Sequence, residues 1–252
     1  MIIAHLIHDM RSLIACSRTC YSWYLAAVHH LHRPLIIGAT DSNQKFMWPT
    51  PIKSIHKLGL LPLVTELRIY NAKGMSKNLF SSRVLRQFTA FVNVRDLRIG
   101  HLDIPSFIPH IQRYFGHFLP TVKSLSLAYP KGSHRQIIFF IGLFQHLEDL
   151  MLNDRSTRTP ERQEDMDLAP HFVPPFGGRL VIWYFRRAGL VKDIIDSFGG
   201  IKFSSMNIFD VAETRLLLSA CAKTLRILQL QPTDPHGERL DLLCMYHEIL
   251  SQ

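Results

Sequence analysis

A phrase of the form apolar-x-x-apolar-x-apolar recurs along this chain, and it constrains the fold more than any other feature. It occurs as Val64-x-x-Leu67-x-Ile69, Val94-x-x-Leu97-x-Ile99, Val122-x-x-Leu125-x-Leu127 and Leu147-x-x-Leu150-x-Leu152. Weaker copies are Leu180-x-Ile182, with Gly177 in the first slot, and Phe203-x-x-Met206-x-Ile208. A clean copy returns at Leu225-x-x-Leu228-x-Leu230. The central positions 67, 97, 125, 150, 180, 206 and 228 are 30, 28, 25, 30, 26 and 22 residues apart. Leu35 and Ile37 make a degenerate eighth copy, 32 residues before Leu67.

Alternation within each phrase is that of a short strand, whose successive side chains point to opposite faces. Between the phrases, apolar residues keep helical spacing. Leu79, Phe80, Val84, Leu85, Phe88 and Phe91 form one set. Phe107, Ile108, Ile111, Phe115 and Phe118 form a second, and Ile137, Ile138, Ile141, Phe144 and Leu147 a third. One strand and one helix cannot bury their own apolar faces, whereas stacked copies share a continuous core. The expected fold is therefore α/β, a leucine-rich-repeat solenoid of about seven to eight irregular strand–helix units, since repeats of that class run ~20–29 residues. The repeat domain is expected over residues 33–252. Residues 153–178, mixed in charge and holding Pro160, Pro170, Pro174 and Pro175, are expected as a loop insertion. Such a loop is either a tolerated surface insertion or a regulated partner-binding segment.

The 252 residues are 47% hydrophobic and 19% charged, which supports a packed core and excludes wholesale disorder. The longest apolar run, Ile137 to Phe144, falls far short of the ~20 residues of a membrane span. The start, MIIAHLIHDM, has no basic region of the kind that opens a signal peptide. Four cysteines, Cys16, Cys20, Cys221 and Cys244, suit a reducing compartment better than a disulfide framework. The expected location is cytoplasmic or nuclear. Net charge is +9, unevenly spread: residues 1–130 carry 15 Lys/Arg against 5 Asp/Glu, and the rest 14 against 15. A basic half attracts nucleic acid or acidic protein. Its cations are single and separated by apolar residues, so nucleic-acid binding ranks below protein binding.

Residues 1–32 differ from the repeats. Ile3, Leu6 and Ile7, then Leu13, Cys16, Cys20 and Trp23, space as helix faces. The phrase Leu13-x-x-Cys16-Ser17-x-x-Cys20-x-x-Trp23 resembles the core of an F-box. The continuation AAVHHLHRPLIIG is similar to the passage from F-box to first strand in the F-box-like proteins of mushroom-forming fungi, as is Pro174-Pro175 ahead of Gly177, Gly178 and Leu180. That resemblance implies a substrate receptor of a cullin-type (SCF) ubiquitin ligase. A small helical segment at 1–32 would dock on the Skp-type adaptor, and the repeats would hold an unknown client protein. Carried over by position, adaptor-binding falls to Ile3, Leu6, Ile7, Leu13, Cys16, Cys20 and Trp23. The family usually opens with Leu-Pro-x-Glu; this sequence starts at Met1-Ile2-Ile3, past that element, so either the sequence is truncated there or adaptor docking is weakened. The other reading of these helices is a cap on the solenoid end, which repeat proteins need for solubility.

Catalytic motifs are missing. There is no G-x-x-x-x-G-K-[ST], no G-x-G-x-x-G after a strand, no H-E-x-x-H and no G-x-S-x-G. Cys16 and Cys20 fall at i, i+4 with no matching pair of ligands at zinc spacing, so both are expected as buried structural cysteines. No enzyme, metal or cofactor is expected. Binding is expected on the strand positions that alternate with the core. One row reads Glu66, Asp96, Ser124, Asp149, Arg179, Ser205, Ile227; the next reads Arg68, Arg98, Ser126, Met151, Val181, Asn207, Gln229. A third reads Tyr70, Gly100, Ala128, Asn153, Trp183, Phe209, Gln231. Client-binding is placed on Arg68, Tyr70, Arg98, Met151, Trp183 and Phe209. The arginines are an anchor for an acidic group, or they merely balance Glu66 and Asp96. The aromatics are the residue type that carries interface energy, or Trp183 packs under the long loop.

Overall fold

Among the described residues eight five-residue strands form, and all of them pair in parallel. The computed structural model describes residue 6 and residues 9–31, 34–38, 61–70, 85–154, 172–183, 189–209 and 214–231. Helices α1 (Met10–Ser17) and α2 (Tyr21–Leu31) precede β1 (Pro34–Gly38). There follow β2 (Glu66–Tyr70), β3 (Asp96–Gly100), α3 (Ile104–Phe115), β4 (Ser124–Ala128), α4 (His134–Ile141) and β5 (Asp149–Asn153). The remaining elements are β6 (Arg179–Trp183), α5 (Leu190–Ser197), β7 (Ser205–Phe209), α6 (Thr214–Cys221) and β8 (Ile227–Gln231). Short 3-10 turns occupy Leu61–Leu63, Arg86–Ala90 and Leu119–Thr121.

Strand order is β1 through β8 with no crossover, so each strand pairs with its neighbours in sequence. This order is compatible with a solenoid-like α/β fold. The pairing register matches the rows read from the sequence: Leu67 faces Leu97, Leu97 faces Leu125, and Arg68 faces Arg98. The degenerate copy at Leu35 and Ile37 is a strand, paired with Leu67 and Ile69.

Backbone bonds at the N-terminal ends of the strands repeat with the same pattern. The Thr65 carbonyl accepts the N–H groups of Arg95 and Asp96, at 2.8 and 3.0 Å. The Arg95 carbonyl accepts those of Lys123 and Ser124, and the Lys123 carbonyl those of Glu148 and Asp149. Further on, Gly178 receives Ser204 and Ser205, and Ser204 receives Arg226 and Ile227. Between β5 and β6 the pattern changes: the Arg179 N–H turns to the Asp149 side-chain Oδ1, at 2.6 Å. That departure coincides with the long connection that follows β5. Its residues 155–171 lie outside the described residues, as do Leu79, Phe80 and Val84 of the first expected helix.

The core lies between the sheet and the helices. Phe115 stacks on Phe88 at 4.7 Å between centroids and meets Phe107 and Phe118 edge-on at 4.8 and 5.3 Å. Phe140 and Phe144 continue this aromatic spine, and Phe176, Phe198 and Phe203 rebuild it under β6 and β7. Each such ring contributes about 1.5–3 kcal/mol by burial. The helices expected around Phe107 and Ile137 are α3 and α4. Ser133 caps α4: its Oγ accepts the Gln136 N–H while Gln136 Oε1 accepts the Ser133 N–H. His134 Nδ1 lies 2.8 Å from Asp193 Oδ2 and ties α4 to α5.

Candidate functional site

Strand alternation fixes the chemistry of the sheet face opposite the core. Burial along β2, β4 and β5 alternates half-exposed with buried, so the non-core rows face outward together. At the β2–β3 end, the Glu66 carboxylate sits between two arginines on adjacent strands. Arg68 Nη2 and Nε reach Glu66 Oε1 at 2.6 and 2.7 Å, and Arg98 Nε reaches the same oxygen at 3.3 Å. The Arg98 side chain keeps 46% of its exposure, Arg68 30% and Glu66 16%. One carboxylate thus aligns two cations and leaves one positive charge uncompensated within the trio.

The other expected client residues spread along the same face. Tyr70 is half-buried and its ring lies over Gly100; a Cβ added at Gly100 would meet Tyr70 Cδ1 at 2.7 Å. This close approach is what Gly100 permits. Met151 is half-buried in mid-sheet. Trp183 is 39% exposed at the C-terminal end of β6. Phe209 pairs with Trp183 in register, but its side chain lies outside the described residues. Val181, next to Met151 in its row, is only 4% exposed, so β6 interrupts the polar surface. Sequence reading missed His101 and Tyr129. Each directly follows a strand, takes a left-handed backbone (φ 57° and 52°), and their rings stack at 4.7 Å and 7°. A positive φ is uncommon outside glycine, and neither a histidine nor a tyrosine at a strand end is enough to announce it.

The N-terminal helices divide the expected adaptor face in two. Leu13 is fully buried and Cys16 is 8% exposed; with Ala27, they make a small core of their own, against which Leu6 and Leu31 pack. Cys20 is exposed, which corrects its expected burial, and Trp23 is 40% exposed. The cause is a helix stop. The chain leaves α1 at Arg18, whose N–H bonds back to the Ala15 and Cys16 carbonyls, so helical phase does not carry from Cys16 to Cys20. Cys20 instead precedes α2, and its carbonyl accepts the Tyr24 N–H at 2.8 Å. Asp9 caps α1 by accepting the N–H groups of Arg11 and Ser12, and its carboxyl is held below the usual range, chiefly by the Ser12 hydroxyl. Ile14, Tyr21 and Trp23 form the outward apolar set, 39%, 73% and 40% exposed. Ile3 and Ile7 lie outside the described residues.

Among the described residues, no cluster of three or more His, Cys, Asp or Glu could hold a metal, and no helix is long and apolar enough to cross a membrane. Burial pushes the Cys221 thiol up to about 11. Set against known proteins, the chain matches no family model and no curated relative.

Proposed function

We propose that this chain is a non-enzymatic, protein-binding substrate receptor of an SCF-type ubiquitin ligase. The helical pair at 10–31 would dock on the Skp-type adaptor, with cullin recruited through it. The leucine-rich-repeat face would hold the client. The observation that carries the reading is the ordered outward face of the sheet, with Arg68 and Arg98 aligned by one carboxylate and Trp183 exposed. Preorganised arginines and exposed aromatics are what a protein-binding surface uses. A separate outward apolar set on α1 and α2 supplies a second surface. In this proposal adaptor contact keeps the exposed Cys20 and Trp23, adds Ile14 and Tyr21, and leaves out the buried Leu13 and Cys16.

The burial of Leu13 and Cys16 favours a second reading, a stand-alone repeat scaffold whose helical pair is only a cap. Co-purification with a Skp-type adaptor separates the two. Ile14→Asp and Trp23→Ala change exposed side chains, and circular dichroism checks that the helix pair stays folded. Loss of adaptor from these folded variants supports the receptor. A folded wild type that retains no adaptor supports the scaffold.

A further inference from the structure

At the N-terminal ends of β6, β7 and β8, a cavity of about 470 Å3 is lined by Gly177, Lys202, Ser204, Lys223, Thr224, Leu225 and Arg226. Among the described lining residues three are cations and none is an acid. The half of the chain that supplies them is slightly acidic, so the grouping does not follow from composition. We propose that this cavity is a binding site for a phosphate group.

The backbone fixes the wall of the cavity. Ser204 donates its N–H and its hydroxyl to the Gly178 carbonyl, at 2.9 and 3.0 Å. The Arg226 N–H bonds to the Ser204 carbonyl at 2.8 Å, and Thr224 Oγ1 to the Phe203 carbonyl at 3.1 Å. Arg226 therefore stands on anchored main chain, and Lys202 and Lys223 lie within two residues of the bonded Ser204 and Thr224. The same ladder offers an internal comparison. Lys123 occupies the position that corresponds to Arg226 two strands beyond the Thr65 end, and its neighbour in the column is Glu148. There the cation is satisfied within the chain, Lys123 Nζ meeting Glu148 Oε1 at 2.7 Å. Arg226 has Ser204 as its neighbour on the preceding strand, where Lys123 has Arg95, and no ion pair to an acid joins it among the described residues.

Lys202, Lys223 and Arg226 are exposed along the rim of this solvent-open cavity, and a bound anion would draw on all three charges. A phosphate monoester carries about −1.5 to −2 at neutral pH and three acceptor oxygens, which suits three cations better than one carboxylate does. Among the described lining residues Leu225 is the only large apolar one, which does not suit a greasy ligand body. Free phosphate and a phosphorylated side chain share this chemistry. The site is independent of adaptor docking.

The test is titration of the full chain at low ionic strength with inorganic phosphate, O-phosphoserine and serine, read by phosphorus NMR and calorimetry. Phosphate and phosphoserine are expected to bind and serine not to. Tighter binding of phosphoserine would point to a phosphorylated protein as the source, and equal binding to the free anion. Lys202→Ala and Arg226→Ala each weaken binding by about fivefold or more, and added salt weakens it further. Arg95→Ala, in the same column but outside the cavity, leaves it unchanged. Gly177→Asp is a second, orthogonal variant: a Cβ there meets nothing within 4 Å, so the carboxylate enters without steric cost and competes with the ligand. Two results each overturn the proposal: no binding of either phosphate, or binding undiminished in these variants.

Discussion

Replacing Glu66 with Gln keeps the shape of the side chain and removes the charge that holds Arg68 and Arg98 together. In a water-like dielectric, contacts at 2.6 and 3.3 Å are worth about 1.6 and 1.3 kcal/mol as bare Coulomb terms. The exposure of both arginines and the entropy of fixing them reduce those values toward the range of ~0.2–1 kcal/mol per exposed pair. The low exposure of Glu66 and the loss of shielding between stacked arginines act the other way. We therefore expect Glu66→Gln to cost about 1–2 kcal/mol, or a fall of about 2–8 °C in Tm at the ~2–4 °C per kcal/mol usual for this size. Arg98→Met alone should cost less, because its contact is the longer one. A double-mutant cycle by urea unfolding isolates the coupling between Glu66 and Arg98. Zero coupling, or a Glu66→Gln variant as stable as wild type, would refute the idea that this carboxylate organises the outward face.

Gly100→Ala should displace the Tyr70 ring and destabilise by about 1–3 kcal/mol, with most of the loss recovered in Gly100→Ala/Tyr70→Ala, as measured by thermal unfolding. Phe115→Ala, which empties the centre of the aromatic spine, should cost about 3–5 kcal/mol by chemical denaturation. In the native protein at pH 8, Cys20 should react with a thiol reagent while Cys16 and Cys221 stay protected, read peptide by peptide in mass spectrometry. Because burial raises the Cys221 thiol from 9.0 to about 11, the unfolded chain releases its proton first. This residue's contribution to stability therefore falls as pH climbs from 9.0 towards about 11, and Cys221→Ala should remove that part of the pH dependence.

Register was legible because period-two alternation admits no slip: moving Leu67 by one place would put Arg68 in the core. The same logic placed Arg68 beside Arg98 and Trp183 beside Phe209. Helix α3 was legible from Phe107, Ile111 and Phe115, whose spacing covers one helix face. The helix stop at Arg18 was not. Cys16 and Cys20 keep the spacing of one continuous helix, and Ser17, Arg18 and Thr19 include no glycine or proline to mark the break. The stacked pair His101 and Tyr129 was hidden for a similar reason, since the two residues lie 28 apart in sequence and meet only because β3 and β4 pair in register. The cavity at β6–β8 was hidden differently. Lys202 and Arg226 are 24 residues apart and become neighbours only through the carbonyl ladder.

The receptor account requires two separate surfaces, one for an adaptor and one for a client. Hydrogen exchange on the full chain, with and without a Skp-type adaptor, tests this most directly. The account predicts slowed exchange confined to residues 10–31, with β2, β3 and β6 left as open as in the free chain. No complex, or protection spread along the sheet instead of the helical pair, would contradict it.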